Sequence, residues 1–273
     1  CLVGSEMCIR DSYTTHAGPE LGNAFADVIS GKYSPAGRLA QTWYKSEYEL
    51  APIECYDIIE NDMTYLYYRG KPLYPFGYGL SYAKFEYSDF DVKENGDVIS
   101  VSLDVTNVSE TDSDEVVQIY FRMENPSVKR PLRQLVAFAR ERIECGRTRH
   151  FEFDIKKSEL RFYDVSRERF AVEQGRYTFM AGASSEDIRL TKTIDVSGEI
   201  IPPRELCKGV KAKNYDGKYG TKMKYSKKLE QHYMLGGGLI YNNCVLGEAD
   251  SIEIVCGSRV NTGKITVLSL IHI

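Results

Sequence analysis

His16 and Glu20 stand in the run HAGPEL, an imidazole and a carboxylate close together in the chain, and both are side-chain types that move protons in catalysis. A hydrolase working with two carboxylates needs a second acid across the scissile bond, about 5–9.5 Å from the first. The sequence places no such partner opposite Glu20, and among 39 acidic residues some pairing arises by chance. The favoured reading of Glu20 is a helix-start acid, stabilised by the positive end of the helix macrodipole. Other chemistries find less support. There is no G-x-S-x-G and no H-E-x-x-H, and the histidines at 16, 150, 232 and 272 are scattered. Gly236–Gly238 opens GGGLIY, whose spacing suits a turn and not a phosphate loop. Cys55, Cys145, Cys207, Cys244 and Cys256 show no C-x-x-C spacing, which argues against zinc, and they demand no disulfide framework. Trp43, Tyr65, Tyr67 and Tyr68 could offer faces for a sugar to stack on, but the period-two placing of Tyr65 and Tyr67 favours packing. Asn107-Val-Ser109 matches a glycosylation sequon, which matters in a secretory eukaryotic setting. The expectation is no catalytic residue, no metal and no cofactor in this stretch, with substrate-binding residues left unassigned.

The elements that would have to position any site fall into three textures. Pro19–Ser30 (PELGNAFADVIS) sets Leu21, Phe25, Val28 and Ile29 on one helical face, with Pro19 in the first turn and Gly31 at the C′ position. A short strand is expected around Leu39–Tyr44, and from Tyr13 to about residue 70 the apolar elements are too few to enclose a core. Lys71–Tyr82 (KPLYPFGYGLSY) then packs four aromatics, two prolines and two glycines into twelve residues. It can be neither helix nor central strand, and its rings must be packed or they form an apolar patch. Tyr74, Phe76 and Tyr78 are expected to lie largely buried at a corner between two domains.

From Ala83 the pattern becomes alternation. Ser100–Val108, Glu115–Met123, Leu135–Ile143, Arg149–Ile155, Glu168–Glu173, Arg176–Ala183 and Arg189–Val196 read as strands separated by turns. Short strands spaced in this way indicate an antiparallel β-sandwich. Ser158–Asp164 interrupts them as a single turn whose Leu160, Phe162 and Tyr163 plug an edge. Gly198–Glu205 (GEIIPPRE) reads as a linker, followed by a glycine-containing texture with a strand-like Ser251–Val255.

Net charge of −4 and the absence of any run of 18 apolar residues argue against nucleic-acid and membrane partners. The stretch from Ile201 to Val267 is basic, but its lysines alternate with Tyr, Gly and Glu and read as a solvated surface. The ends read as something other than protein. Met7–Ser12 (MCIRDS) and Leu268–Ile273 (LSLIHI) can be encoded by one short DNA word read on opposite strands. Residues 1–12 and 268–273 are therefore expected to be translated sequencing-adapter ends, outside the fold.

Three ordered motifs carry a resemblance: HAGPELGNAFADVISGKYSPAGRLAQTWY (His16–Tyr44), YLYYRGKPLYPFGYGLSY (Tyr65–Tyr82) and DEVVQIYFRMENPSVKRPLRQLVAF (Asp114–Phe138). Together they resemble the C-terminal part of family 3 glycoside hydrolases. The resemblance implies a mainly β chain in which residues 13–82 are the remnant of an α/β domain and 83–197 a fibronectin type III-like, immunoglobulin-type β-sandwich. A linker at 198–210 would lead to a truncated β jelly-roll-like segment at 211–267, whose Tyr241–Val267 stretch resembles the front half of a family 6-like carbohydrate-binding jelly roll. In the family the nucleophilic aspartate sits on an N-terminal barrel, and the acid/base glutamate lies earlier in the α/β domain than the helix at 19–30. Neither motif is present here, and Met63 stands where many relatives carry arginine. The resemblance implies retaining hydrolysis of β-linked glucosides or xylosides, with a carbohydrate substrate held by a barrel and this piece serving as scaffold. The alternative is a free-standing sandwich module that binds polysaccharide or protein.

Overall fold

The computed structural model describes residues 18–53 and 55–220, the strand segments 223–226 and 231–234, residues 237–245, and positions 247, 251, 253 and 266. Two compact units divide the chain. The first runs to Ile201 without residues 165–167, which group with the second unit from Pro202 onward.

Nine strands form in the first unit: β1 (Phe85–Asn95), β2 (Val98–Asn107), β3 (Ser113–Met123), β4 (Gln134–Ile143), β5 (Thr148–Lys156), β6 (Phe162–Asp164), β7 (Arg169–Ala171), β8 (Gly175–Gly182) and β9 (Ile188–Val196). They make an antiparallel sheet ordered β1-β2-β5, a second ordered β4-β3-β8-β9, and a small β6–β7 hairpin. The expected antiparallel sandwich is thus present, and the structure adds that it sets three strands against four. Ile99, Val101, Leu103 and Val105 face inward from β2 and meet Val117, Ile119 and Phe121 of β3 and Tyr177 and Phe179 of β8. Burying one apolar face of each sheet against the other is the main favourable term that holds them together. Leu160 and Phe162 close the core beside a 3-10 turn at Lys157–Leu160, while Tyr163 points to solvent and takes no part in the plug.

Two strands depart from the expected reading. β1 is the longest of its sheet, yet its residues do not alternate cleanly. The register slips between Ser88 and Asp91, with Asp89 at φ +51°. This bulge moves the apolar residues from odd positions (Phe85, Tyr87) to even ones (Phe90, Val92), which hides the strand from a period-two search. The Glu168–Glu173 strand shortens to β7, three residues long.

Asn107 corrects the sequon reading. It ends the inward row of β2 at 0 % exposure. Its Nδ2 donates to the carbonyls of Thr111 and Ile143, both at 2.9 Å, and its Oδ1 accepts from the Ser109 amide at 3.0 Å. The side chain staples the β2–β3 turn to the end of β4 and leaves no room for a glycan. Asn107→Ala is expected to cost about 2–4 kcal/mol, because each buried group it abandons loses its partner. Urea unfolding measures this, and an unchanged midpoint would contradict the staple.

In the second unit, short strands pair two by two: β10 (Arg204–Glu205), β11 (Gly217–Tyr219), β12 (Met223–Ser226), β13 (Gln231–Met234), β14 (Gly238–Ile240) and β15 (Cys244–Val245). β11 pairs antiparallel with β14 and β12 with β13, whereas β10 and β15 run parallel. The stretch read as a linker thus contributes a strand, and with it Arg204. That guanidinium lies buried against Asp216 at 3.0 Å, donates to the Asn214 carbonyl at 2.6 Å and covers the Tyr241 ring. The strand expected at Ser251–Val255 falls mostly outside the described residues, as do residues 1–12 and 268–273.

Candidate functional site: the aromatic junction

Residues 18–82 bring the sequence-derived candidates onto the first unit. The helix α1 spans Leu21–Ile29, shorter than the 19–30 expected, because Pro19 and Glu20 lie ahead of its first turn. Glu20 occupies the N-cap position, makes no capping bond with its side chain, and is exposed. Its carboxylate accepts a hydrogen bond from the Asn23 side chain. His16, its neighbour in sequence, is outside the described residues. No residue of α1 is buried, and its stripe of Leu21, Phe25 and Ile29 reaches 68 % exposure at Ile29. The strand expected at Leu39–Tyr44 is instead extended chain with a single β-bridge, from Trp43 to Tyr74.

That bridge belongs to a larger pairing that shapes the junction. Gly77 donates to the Leu39 carbonyl at 2.7 Å, Leu39 to Tyr78 at 2.9 Å, and Trp43 to Tyr74 at 2.8 Å. The loop is thereby pressed along the preceding segment, and its rings stack in sequence. Tyr65 lies flat on Phe76 at 4.1 Å and meets Tyr120 of β3 edge-on at 6.2 Å; Tyr74 touches both Trp43 and Tyr78. α2 (Thr64–Tyr67) supplies Tyr65 and the buried Tyr67, so these tyrosines pack, as their spacing favours. The expected burial of Tyr74, Phe76 and Tyr78 is met in part: all three are half-buried, and only Pro72 and Gly77 of this loop are fully enclosed. Tyr74 packs on Trp43 and Tyr78 and Phe76 on Tyr65, and the Tyr65 ring meets the sandwich at Tyr120.

Gly77 is where the loop meets the sheet. It holds φ +80°, and a Cβ there would stand 2.0 Å from Oε1 of Gln118. Gln118 lies beneath it on β3, donates to the Gly77 carbonyl at 3.1 Å and to Ala183 at 2.6 Å, and accepts from the Tyr120 hydroxyl. Only glycine meets both requirements. This contact explains why β3 is buried on both faces. Val117, Ile119 and Phe121 face the core, while Gln118 and Tyr120 lie on the outer face beneath the junction and Val116 is buried on that same face.

A second anchor crosses the end of the sandwich. Arg38 reaches Glu115 at 2.8 Å, with side-chain exposures of 10 % and 2 %, and Tyr87 of β1 donates to the other carboxylate oxygen at 2.8 Å. Burial pushes the Glu115 carboxyl above its ordinary range, against the pull of Arg38. Burial together with the Glu115 charge raises the Tyr87 phenol as well. Ser34, Ser81 and Ser113 close a triangle of hydroxyls at 2.8–3.1 Å beside it. Elsewhere Tyr68 donates to Glu49, which lifts its phenol to about 12, and His150 pairs with Asp104 across β2 and β5, which raises the imidazole. The arrangement holds two segments in one orientation; its enclosed carboxylates are committed to cations and hydroxyls. Sequence reasoning missed Arg38, Glu115 and Gln118. The available signal was a carboxylate and an amide inside the otherwise apolar run EVVQIYF.

Comparison with known proteins accounts for this build. Residues 13–82 match the glycosyl hydrolase family 3 C-terminal domain, and residues 115–185 a fibronectin type III-like domain. The thermostable beta-glucosidase B of Acetivibrio thermocellus is 35 % identical over 200 residues, covering 67 % of this chain and 26 % of the relative. The xylan 1,4-beta-xylosidase of Xylanibacter ruminicola is 34 % identical over 191 residues, covering 69 % and 22 %. Among solved structures, beta-glucosidase 3B from Thermotoga neapolitana in complex with alpha-D-glucose superposes with a TM-score of 0.62 at 30 % identity, over 68 % of this chain and 28 % of that one. The chain spans about a quarter of the length of the curated relatives it matches. With a family 3 domain and a fibronectin-like sandwich joined in this order by one aromatic loop, the chain belongs to glycoside hydrolase family 3, as a portion of its C-terminal part.

Proposed function

We propose that this chain is the accessory C-terminal part of an enzyme that releases terminal β-linked glucose or xylose. In this reading residues 13–82 end the α/β domain, 83–197 form the supporting sandwich, and both catalytic carboxylates and the sugar site lie on other parts of the enzyme. The observation that carries the reading is the uncovered stripe of α1. Leu21, Phe25 and Ile29 form an apolar helix face that stays 39–68 % exposed, although the Tyr82 hydroxyl donates to the Val28 carbonyl at 2.7 Å on the same helix. Such a stripe exists to be buried against a layer of structure. The relatives' names supply the chemistry: they are β-glucosidases and β-xylosidases. The aromatic junction then fixes the sandwich against the α/β domain.

A chimera tests this. Residues 18–197 replace the matching part of the Acetivibrio enzyme, and hydrolysis of nitrophenyl β-glucoside is compared with the parent and with a version truncated before that part. The chimera is expected to keep kcat within about tenfold of the parent, a change of about 1.4 kcal/mol in the barrier, and the truncated protein to lose activity or solubility. A truncated protein as active as the parent would remove the scaffold role. A soluble chimera with parental stability and no activity would point to the alternative, a binding module.

A further inference from the structure

Asp62 and Thr64 adopt φ +49° and +61° on either side of Met63, two non-glycine residues in left-handed backbone within three positions. Asp tolerates this region, but a β-branched threonine there is an outlier that costs free energy and persists only when its surroundings impose it. The imposing contacts come from outside the corner. The Tyr44 hydroxyl accepts the Thr64 amide at 2.7 Å. Lys129, from the β3–β4 loop of the sandwich, donates to Oδ1 of Asp62 at 2.6 Å and to the Ile59 carbonyl, and lies over the Tyr67 ring. The loop that carries Lys129 is itself fixed: next to it Arg130 donates to the Leu160 carbonyl at 3.0 Å and covers Phe162, and Leu132 donates to Leu66 at 2.7 Å.

We propose that Lys129 is a latch that holds a strained corner at Asp62–Thr64, so that the aromatic junction is set by the sandwich and springs open when the latch is lost. The corner leads directly into α2, whose Tyr65 ring stacks on Phe76. Its backbone path therefore decides where that ring lies. Thr64 also serves α2 itself: its Oγ1 accepts the Leu66 amide and its carbonyl accepts the Tyr68 amide. Relaxation of the corner would consequently unwind the turn and withdraw Tyr65 from the stack. A latch working against strain differs from an ordinary ion pair in one respect. Its loss is cancelled by removing the strain.

Amide hydrogen exchange on the full chain makes this measurable in wild type, Lys129→Met, Thr64→Gly and the double variant. In Lys129→Met the amides of Met63, Thr64 and Tyr68 are expected to exchange about tenfold faster or more, strain of the size stored at such residues being worth a factor of that order in local opening. The amides of Leu103 and Val105, inside β2, are expected to keep their wild-type rates. In the double variant the rates at 63 and 68 should return to within about threefold of wild type, because glycine accepts the left-handed backbone freely. Unchanged exchange in Lys129→Met would overturn the latch. Acceleration that Thr64→Gly fails to reverse, or that spreads equally to Leu103 and Val105, would show loss of a contact without stored strain and would overturn it too.

Discussion

Incubated alone with nitrophenyl β-glucoside or β-xyloside, the chain is expected to release no nitrophenol above the uncatalysed rate. Enzymatic acceleration spans about 10⁶–10¹⁷-fold, and for this reaction most of it depends on two carboxylates set across the scissile bond. Several of the described carboxylates are arranged for other work. Glu115 is enclosed with Arg38 and Tyr87, and Glu173 faces Arg130 at 3.9 Å. Exposed acids such as Asp27, Asp112 and Glu199 sit in surface pairs with Lys32, Arg142 and Arg169. Glu20 stands open at a helix start, held by Asn23, in surroundings that resemble a solvated surface more than a cleft. The measurement is a long incubation with purified protein, alongside Glu20→Gln. Turnover that disappears in that variant would make Glu20 catalytic and overturn the scaffold reading.

Much of this architecture was legible because its physics is local. The inward row of β2 alternates without a break, so the strand at Ser100–Val108 is legible from its sequence, and the burial of Asn107 follows from its place in that row. The corner loop was recognised from its prolines, glycines and rings, which exclude regular structure wherever they occur. Three things were hidden, each for a separate reason. The bulge at Ser88–Asp91 shifts the phase of β1, so a real strand lacks the pattern of one. The bond of Gln118 to Gly77 joins residues 41 apart, and no local pattern encodes such a distance. The half-burial of Tyr74, Phe76 and Tyr78 depends on what covers their outer side, and composition alone says only that rings must pack somewhere.

Glu115→Ala is expected to destabilise the first unit by about 3–5 kcal/mol, the usual cost of stranding one member of a buried ion pair. Arg38 would be left beside an apolar wall with its charge enclosed, and the Tyr87 hydroxyl would lose its acceptor. That loss is a large share of a margin of roughly 5–15 kcal/mol. Replacing both partners, as Arg38→Met with Glu115→Leu, should be near neutral or stabilising, since desolvation of two charges offsets most of their attraction. The pair therefore fixes orientation more than it adds stability, and a double-mutant cycle in urea separates the two contributions. The pH dependence carries a second signature. Burial raises the folded-state pKa of Glu115 above its unfolded value, so between those values the folded protein holds the extra proton. Stability from this group is then present in full below the ordinary glutamate range and declines as pH rises through the raised value. Glu115→Gln, which keeps an oxygen for Tyr87 but cannot ionise, should lack that decline. If the variant and the wild type lose stability in parallel over this interval, the carboxylate is solvated in the folded protein, and the buried anchor between the two segments does not exist in the form described.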